Sequence, residues 1–333
     1  MNRAISVYLL IAFASLIGSC GAKTGLEITP YRDLSAGPFP RPIAPMSLGD
    51  VTLLRPTLRW ELPAVFDGAE VDLCLDRQCT RFIESLRVLG TSARPSMDLP
   101  ARTVVFWRLR GTSGTTTDLA NSPTWLFHVP AKDNSGGVDT SYNAHLDLNG
   151  DGFDDVVVGA PLANPNGRRR VGAVSVFYGS STGIAQTASL ILEGTRPSDV
   201  FGWSVAGAGD VNGDGFGELV VGAPNHVFDA TVLSVAHAKL YHGSPVGISR
   251  EPTTVLRAQM DWRGFGIPVA GAGDVNGDGY ADVLVANSGQ GGGPVGTVRV
   301  FHGAKNGIET TPARTLEGGG TANNFGTSSA RQS

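Results

Sequence analysis

The sequence predicts an all-β chain: a small β-sandwich followed by an incomplete β-propeller of about three four-stranded blades and the start of a fourth. Three observations predict it. A nine-residue acidic loop recurs with its first Asp at 147, 210 and 274, spacings of 63 and 64 residues. Each loop is followed by a short β-branched run of the kind that forms a buried strand. Ahead of the loops, residues 46–130 hold short alternating runs broken by turn residues at the spacing of a small sandwich.

The loops read Asp147-Leu148-Asn149-Gly150-Asp151-Gly152-Phe153-Asp154-Asp155, then Asp210 through Glu218, then Asp274 through Asp282. Side-chain oxygens fall at positions 1, 3, 5 and 9: Asp147, Asn149, Asp151, Asp155; Asp210, Asn212, Asp214, Glu218; and Asp274, Asn276, Asp278, Asp282. Gly at position 6 permits a sharp turn. Such an oxygen-only set suits Ca²⁺, which takes six to eight oxygen ligands, and the backbone carbonyls of Phe153, Phe216 and Tyr280 supply position 7. A solvated Asp/Asn/Gly turn is the plainer reading of one such loop, but three copies in register favour calcium. An EF-hand is excluded, because its position 12 needs a bidentate acid and helices must flank the loop. Position 12 here is Val158, Val221 or Val285, within Val156-Val157-Val158, Leu219-Val220-Val221 and Val283-Leu284-Val285, all read as buried strands.

The repeat extends beyond the loops. Phe201-Gly202 and Phe265-Gly266 precede the second and third, each leading into an Ala-Gly-Ala-Gly run. Gly159-Ala160-Pro161 and Gly222-Ala223-Pro224 follow the first and second valine runs, with Ala286-Asn287-Ser288 in third place. Then come strand-like stretches ending in Tyr178-Gly179, His242-Gly243 and His302-Gly303, a Gly-Ile pair at 183, 247 and 307, and a fourth strand such as Ser189–Leu192. Four short strands per period of about 60 residues fit a propeller blade. The combination resembles the FG-GAP repeat of the integrin α-subunit β-propeller and its bacterial relatives, over residues 141–333. That resemblance implies calcium in the loops joining the first two strands of each blade, in a protein that binds other macromolecules. The first copy departs from it, with Tyr142-Asn143-Ala144-His145-Leu146 where Phe-Gly is expected, and the third lacks Gly-Ala-Pro.

Propellers close with four or more blades. A fourth repeat starts at Leu316-Glu317-Gly318 and reaches Phe325-Gly326, but its loop Asp would fall one position past Ser333. The expectation is a truncated or frame-shifted product, a fragment of a longer FG-GAP protein; the alternative is several chains completing one ring. Unpaired blade edges would favour self-association.

At the other end, residues 1–20 pair a weakly basic start with an apolar stretch, Ala4 to Ile17, too short to span a membrane. Ile17-Gly18-Ser19-Cys20 resembles the bacterial lipobox, which implies lipidation of Cys20, export, and anchoring in the bacterial envelope at the outer membrane or cell surface. An ordinary signal peptide cleaved nearby is the alternative. With Cys20 assigned to the anchor, Cys74 and Cys79 remain as a pair for a disulfide in an oxidising compartment, or for a Cys-x4-Cys metal site. Residues 21–45, rich in Pro and Gly, read as a tether, and residues 131–140 as a linker.

Within 46–130, the strand-like runs are Thr57–Trp60, Glu70–Cys74, Val104–Leu109 and Thr124–Val129. Their placement of Trp60, Trp107 and Trp125 resembles a fibronectin type III or related Ig-like β-sandwich, with the tryptophans in the core rather than forming a carbohydrate platform. Net charge is −4, and ten of the thirty acids lie in the three loops, where they repel one another without a cation. The only basic run, Arg168-Arg169-Arg170, fits an exposed turn, so no nucleic-acid partner is expected. Gly179-Ser180-Ser181-Thr182-Gly183 matches a nucleophile elbow, but the corresponding segments at 243–247 and 303–307 keep the glycines and lose that Ser. The six His form no spaced metal pair, and His242 and His302 share a repeat position with Tyr178. The reading is therefore not an enzyme but a calcium-binding scaffold for a protein or glycan ligand, with about three structural Ca²⁺. A hydrolase or lyase using a propeller channel is the alternative.

Overall fold

A computed structural model describes residues 39–133, 145–224, 236–258, 264–287, 296–319 and 325–327. Among them, no helix is long and apolar enough to cross a membrane. Cys20, Tyr142-Asn143-Ala144 and the tail 329–333 lie outside the described residues.

Two sheets form the N-terminal β-sandwich. One runs Arg41–Ala44, Leu58–Glu61, Ser92–Ala93, and the other Gly49–Asp50, Trp125–His128, Val104–Ser113, Gly68–Cys74, Phe82–Leu89, with Thr116–Asn121 folded back on Val104–Ser113. Alternation decides which side chains enter: Leu58 and Trp60 point in, Arg59 and Glu61 out. Leu58, Trp60, Val71, Leu73, Trp107 and Trp125 share one core, and Trp107 meets Trp125 edge-on at 6.2 Å. All three tryptophans are buried, so none offers a carbohydrate platform. The tether expected over 21–45 is too long by one strand, because Arg41–Ala44 pairs with Leu58–Glu61. Its Pro42 is compatible with an outer strand, where a missing N–H costs no ladder bond. Four residues are too few to show a period.

The second half forms three blades. The first has strands Val156–Ala160, Ala173–Phe177 and Leu190–Glu193. The second has Ser204–Gly209, Glu218–Ala223, His237–Tyr241 and Thr254–Arg257. The third has Phe265–Gly273, Asp282–Asn287, Thr297–Phe301 and Arg314–Glu317. Every pairing in them is antiparallel. In the third blade the first strand pairs from Phe265 with a bulge before Ile267, which gives it nine residues against six in the second blade.

Blades stack face to face. Val174, Val176 and Leu192 of the first pack with Leu219, Val221 and Tyr241 of the second, and Val220, Leu240 and Leu256 of the second with Val283, Val285 and Phe301 of the third. Glu218–Ala223 is therefore buried on both faces, which is why its apolar run is continuous. The equivalent run in the first blade is not buried as expected: Val156 is 37% and Val158 50% exposed. Among the described residues, one face of that sheet has a blade against it, the second blade.

Glycine sets the stacking distance. A Cβ on Gly159 would overlap the carbonyl oxygen of Gly202, and one on Gly222 that of Gly266. The Gly of Gly-Ala-Pro is thus the point where one blade's backbone touches the Phe-Gly of the next. Gly202, Gly266 and Gly326 all have left-handed φ, of 84°, 96° and 83°, which only glycine adopts freely. Gly222→Ala is expected to lower stability by about 1–3 kcal/mol through this backbone overlap, whereas Gly319→Ala, whose Cβ meets nothing within 4 Å, leaves it unchanged; urea unfolding checks both.

Candidate metal centre

The three acidic loops are built from one set of hydrogen bonds, repeated. The loops of the second and third blades join that blade's first two strands, with no helix on either side. In each loop the first Asp accepts from amides at the turn. Asp147 Oδ1 accepts from Gly150 N at 2.6 Å and its Oδ2 from Gly152 N at 2.8 Å. Asp210 accepts from Asp214 N and Gly215 N, and Asp274 from Gly277 N, Asp278 N and Gly279 N. The Asn at position 3 donates to the Asp at position 5, at 3.0, 2.9 and 2.9 Å. That Asp accepts from the amide of position 7, at Phe153, Phe216 and Tyr280.

Position 9 has a second job. Asp155, Glu218 and Asp282 each accept from the amide of position 2 (Leu148, Val211, Val275) at 2.7, 2.7 and 2.8 Å. Each also accepts from the amide of the Gly that follows the third strand, Gly179, Gly243 or Gly303. The aromatic-or-His-then-Gly signature is thereby explained. A Cβ on any of these glycines would overlap a loop carbonyl, of Asp154, Gly217 or Ala281.

These carboxylates are dry. Asp147, Asp210, Glu218 and Asp282 are each at most 1% exposed. Burial pushes Asp147 and Asp155 up to about 6 and raises Asp282. In the second loop burial raises both Asp210 and Glu218, and repulsion from Asp214 adds to it. Buried, mutually repelling carboxylates alongside neutral oxygen donors form a set of hard ligands whose desolvation a divalent cation would offset. The residues fit calcium on that chemistry, although as described the carboxylates are spread over the loop's own amides.

Two cationic side chains reach the loops, both from the sandwich. Arg77 donates from Nε to Gly150 O at 2.8 Å, from Nη1 to Thr124 O at 2.9 Å and from Nη2 to Gly215 O at 2.5 Å. Its guanidinium lies 4.1 Å over the Phe216 ring. Burial lowers its pKa, opposed by the nearby charges of Asp147, Asp210 and Asp214. Arg41 repeats the device at the third loop, donating to Asp278 O at 2.5 Å and lying 4.6 Å over Tyr280. Trp125 Nε1 donates to Gly213 O at 3.2 Å. The sandwich therefore sits on the loop face through cationic and indole donors aimed at loop carbonyls.

Arg77 is held in place by the disulfide. Cys74 and Cys79 are bonded, with Cα atoms 5.1 Å apart, which excludes a Cys-x4-Cys metal site. The enclosed turn is tied by Asp76, which accepts from Thr80 N and Arg81 N. Nothing in the linear sequence marks Arg77 or Arg41, since their acceptors are carbonyls distant in sequence; the disulfide spacing is the one clue.

A second cluster lies beside the first loop and shares no expected calcium ligand with it. His128, from the sandwich, stacks on His145 with ring centroids 3.6 Å apart and planes 16° from parallel. His145 Nδ1 contacts Asp154 at 2.8 Å and Nε2 contacts Asp50 at 3.1 Å. Burial acts to lower the His145 pKa, but Asp154 and Asp50 outweigh it and push it up to about 9; burial and the charge on His145 push His128 down to about 4. Donor atoms of His128, His145 and Asp154 lie within 4.8 Å of one another. Parallel rings, however, hold their lone pairs side by side instead of converging on one ion. The sequence shows no spaced His pair, yet folding brings these two together.

The remaining marked residues are structural. Arg168 pairs with Glu193 at 2.8 Å, and Arg169-Arg170 form a turn. Ser181 is exposed on a turn whose Ser180 hydroxyl donates to Gly183 O at 2.7 Å, and no helix follows it as an elbow requires. Ser244 makes the same bond to Gly247 O.

The family profile described as "FG-GAP repeat" matches residues 143–177, 201–234 and 268–301. Three segments of the chain are thus similar to the FG-GAP repeat. It is similar to "Integrin alpha-7" of Rattus norvegicus, 37% identical over 145 residues that cover 43% of this chain and 12% of that protein. It is also similar to "Integrin alpha-5" of Xenopus laevis, 35% identical over 167 residues, 47% of this chain and 15% of that protein. "Integrin alpha-PS2" of Drosophila melanogaster is 31% identical over 154 residues, 43% of this chain and 11% of that protein. The chain thus spans a small part of the integrin α chains it matches.

Removing the Arg77 fork from between the first two acidic loops has a measurable cost. Because hydrogen bonds with a charged partner contribute about 1.5–3 kcal/mol each and are not additive, Arg77→Ala is expected to lose roughly 2–4 kcal/mol in urea unfolding. Arg77→Lys recovers less than half of it, since one ammonium cannot span three carbonyls.

Proposed function

We propose that the chain is a calcium-stabilised binding scaffold whose propeller blades engage a protein or glycan ligand in adhesion, and that it is not an enzyme. The observation that carries this reading is the repetition of one hydrogen-bonding scheme in three acidic loops, each with its ninth carboxylate buried. Ca²⁺ in each would be held by Asp147, Asn149, Asp151, Asp155 and the Phe153 carbonyl; by Asp210, Asn212, Asp214, Glu218 and the Phe216 carbonyl; and by Asp274, Asn276, Asp278, Asp282 and the Tyr280 carbonyl. The role is structural: an extracellular-type site with a Kd of 10⁻⁴–10⁻³ M in about 1 mM calcium stabilises by roughly 0.4–1.4 kcal/mol. Similarity to integrin α chains supports the adhesive role. The lipobox-like Ile17-Gly18-Ser19-Cys20 supports export and lipid anchoring at Cys20 in a bacterial envelope, with residues 46–130 as a fibronectin type III-like module between anchor and blades.

Calorimetric titration with calcium is expected to give about three sites. Asp214→Asn keeps an acceptor for Phe216 N, gives up the one for Asn212 Nδ2 and removes one charge, so it should weaken the second site and lower the melting temperature more in calcium than in chelator. An equal loss in chelator would sink the structural-calcium reading. Cys20→Ser should move the protein from the membrane fraction to the soluble one; retention would point to an uncleaved anchor.

A further inference from the structure

The three acidic loops repeat one scheme of internal hydrogen bonds, but the sandwich supports them in two different ways. The first and second share a single support, the turn that the Cys74–Cys79 disulfide closes. Arg77, inside that turn, donates to Gly150 O of the first loop and to Gly215 O of the second. The fit is close on both sides. A Cβ on Gly150 would fall 2.6 Å from the guanidinium, and one on Gly215 3.1 Å from Nη1. The third loop meets Arg41 instead, which stands on the strand Arg41–Ala44 and pairs with Glu61 at 3.1 Å. Gly277, the counterpart of Gly150, has nothing within 4 Å of its Cβ position.

The disulfide is what fixes the shape of the Arg77 turn. The ladder between Gly68–Cys74 and Phe82–Leu89 shifts register between Leu73 and Cys74, so regular pairing stops where the turn begins. Asp76 ties its outer side by accepting from Thr80 N and Arg81 N, and Leu75 N donates to Arg81 O at 2.8 Å. Cys79 is held at a left-handed φ of 56°. A side chain adopts that region at a cost and keeps it where the surroundings over-determine it. Both cysteines pack with Leu48, Phe106 and Leu126. That cluster reaches the same two loops: Phe106 Cζ lies 3.4 Å from a Cβ on Gly152, and Leu48 Cδ1 3.0 Å from one on Gly217. The charged and the apolar contacts of the turn thus converge on the first and second loops.

We propose that the Cys74–Cys79 disulfide is a redox latch: it holds the first and second acidic loops through Arg77, and its reduction loosens those two while the third stays as it is. The reductant is a dithiol. Its thiolate attacks one sulfur, the S–S bond breaks, and its second thiol resolves the mixed disulfide. Cys74 and Cys79 end as thiols, having taken up two electrons and two protons, and the dithiol ends as a cyclic disulfide. Exposed Gln78 and Thr80 flank Cys79, so the turn opens from its outer side. Once the bond is broken, Cys79 is free to leave the left-handed region, and Arg77 regains the rotamer freedom that its fork to Gly150, Thr124 and Gly215 removes. The latch acts on loop carbonyls whether or not a cation is bound, so it stands apart from the calcium reading.

The test is hydrogen exchange read by mass spectrometry on the full chain, in chelator, before and after treatment with dithiothreitol. Alkylation of Cys74 and Cys79 confirms the reduction. Loss of the charged hydrogen bonds is expected to speed amide exchange about tenfold in peptides covering 147–155 and 210–218, with 274–282 unchanged. Arg77→Ala in the oxidised chain should exchange as fast in the first two loops, and reduction should then add nothing. That outcome separates action through Arg77 from a general weakening of the sandwich. Equal acceleration in all three loops, or none in any, would overturn the proposal. So would further acceleration on reducing Arg77→Ala, or a disulfide that yields only once the chain has unfolded. If Arg77→Ala does not fold, Arg77→Lys replaces it: reduction should then add less than in the wild type, and an equal addition would overturn the proposal.

Discussion

Each blade depends on carboxylates that the fold buries because its backbone needs them. A tight nine-residue hairpin loop leaves several amides pointing inward, and at the first position only a short acid can accept two or three of them, as Asp147 and Asp274 do. The ninth residue ties the loop to the Gly after the third strand, so loop and sheet edge are fixed together. The cost is charge in a dry place. That cost accounts for the oxygen-only composition of the loops, for the raised carboxyl groups, and for the approach of Arg77.

The second consequence concerns which surface is free. Arg77, Arg41 and Trp125 engage the carbonyls of Gly150, Gly213, Gly215 and Asp278, while Met46 enters the core shared by the second and third blades and Leu48 approaches Gly217. The sandwich is therefore part of the loop face and not a spacer hung from it. The ligand proposed for the blades would have to use surfaces away from the loop carbonyls that the sandwich engages. Whatever orders the loops also orders the carbonyls that Arg77 reads, so the sandwich and a loop-bound cation would stabilise each other through a shared geometry.

Much of this was legible in the sequence because the signals are local. The loop pattern, the Phe-Gly and Gly-Ala-Pro punctuation and the alternation in Leu58-Arg59-Trp60-Glu61 report backbone shape within a few residues, and strands form where they indicate. The Cys74–Cys79 pair and the buried tryptophans followed from spacing and composition. What escaped was set by contacts remote in sequence. Arg77 bonds residues up to 138 positions away, His128 and His145 meet only once the sandwich is seated, and Phe82–Leu89 is a largely exposed strand without a clean period. The edge strand Arg41–Ala44 hid inside a Pro-rich stretch, where composition suggested a tether.

The repeat also shows where reasoning by equivalence stops. Val156-Val157-Val158 and Leu219-Val220-Val221 are read alike by any local rule, and each pairs alike with the strand that follows it. Yet only the second run is buried on both faces. In a stacked array each unit touches only its neighbours, so burial belongs to a position in the stack and not to the sequence of the unit. A blade sequence written for an interior place and found at the front leaves apolar side chains such as Val156, Val158 and Ile184 uncovered. The hydrophobic free energy of that face remains available to a surface shaped like a neighbouring blade.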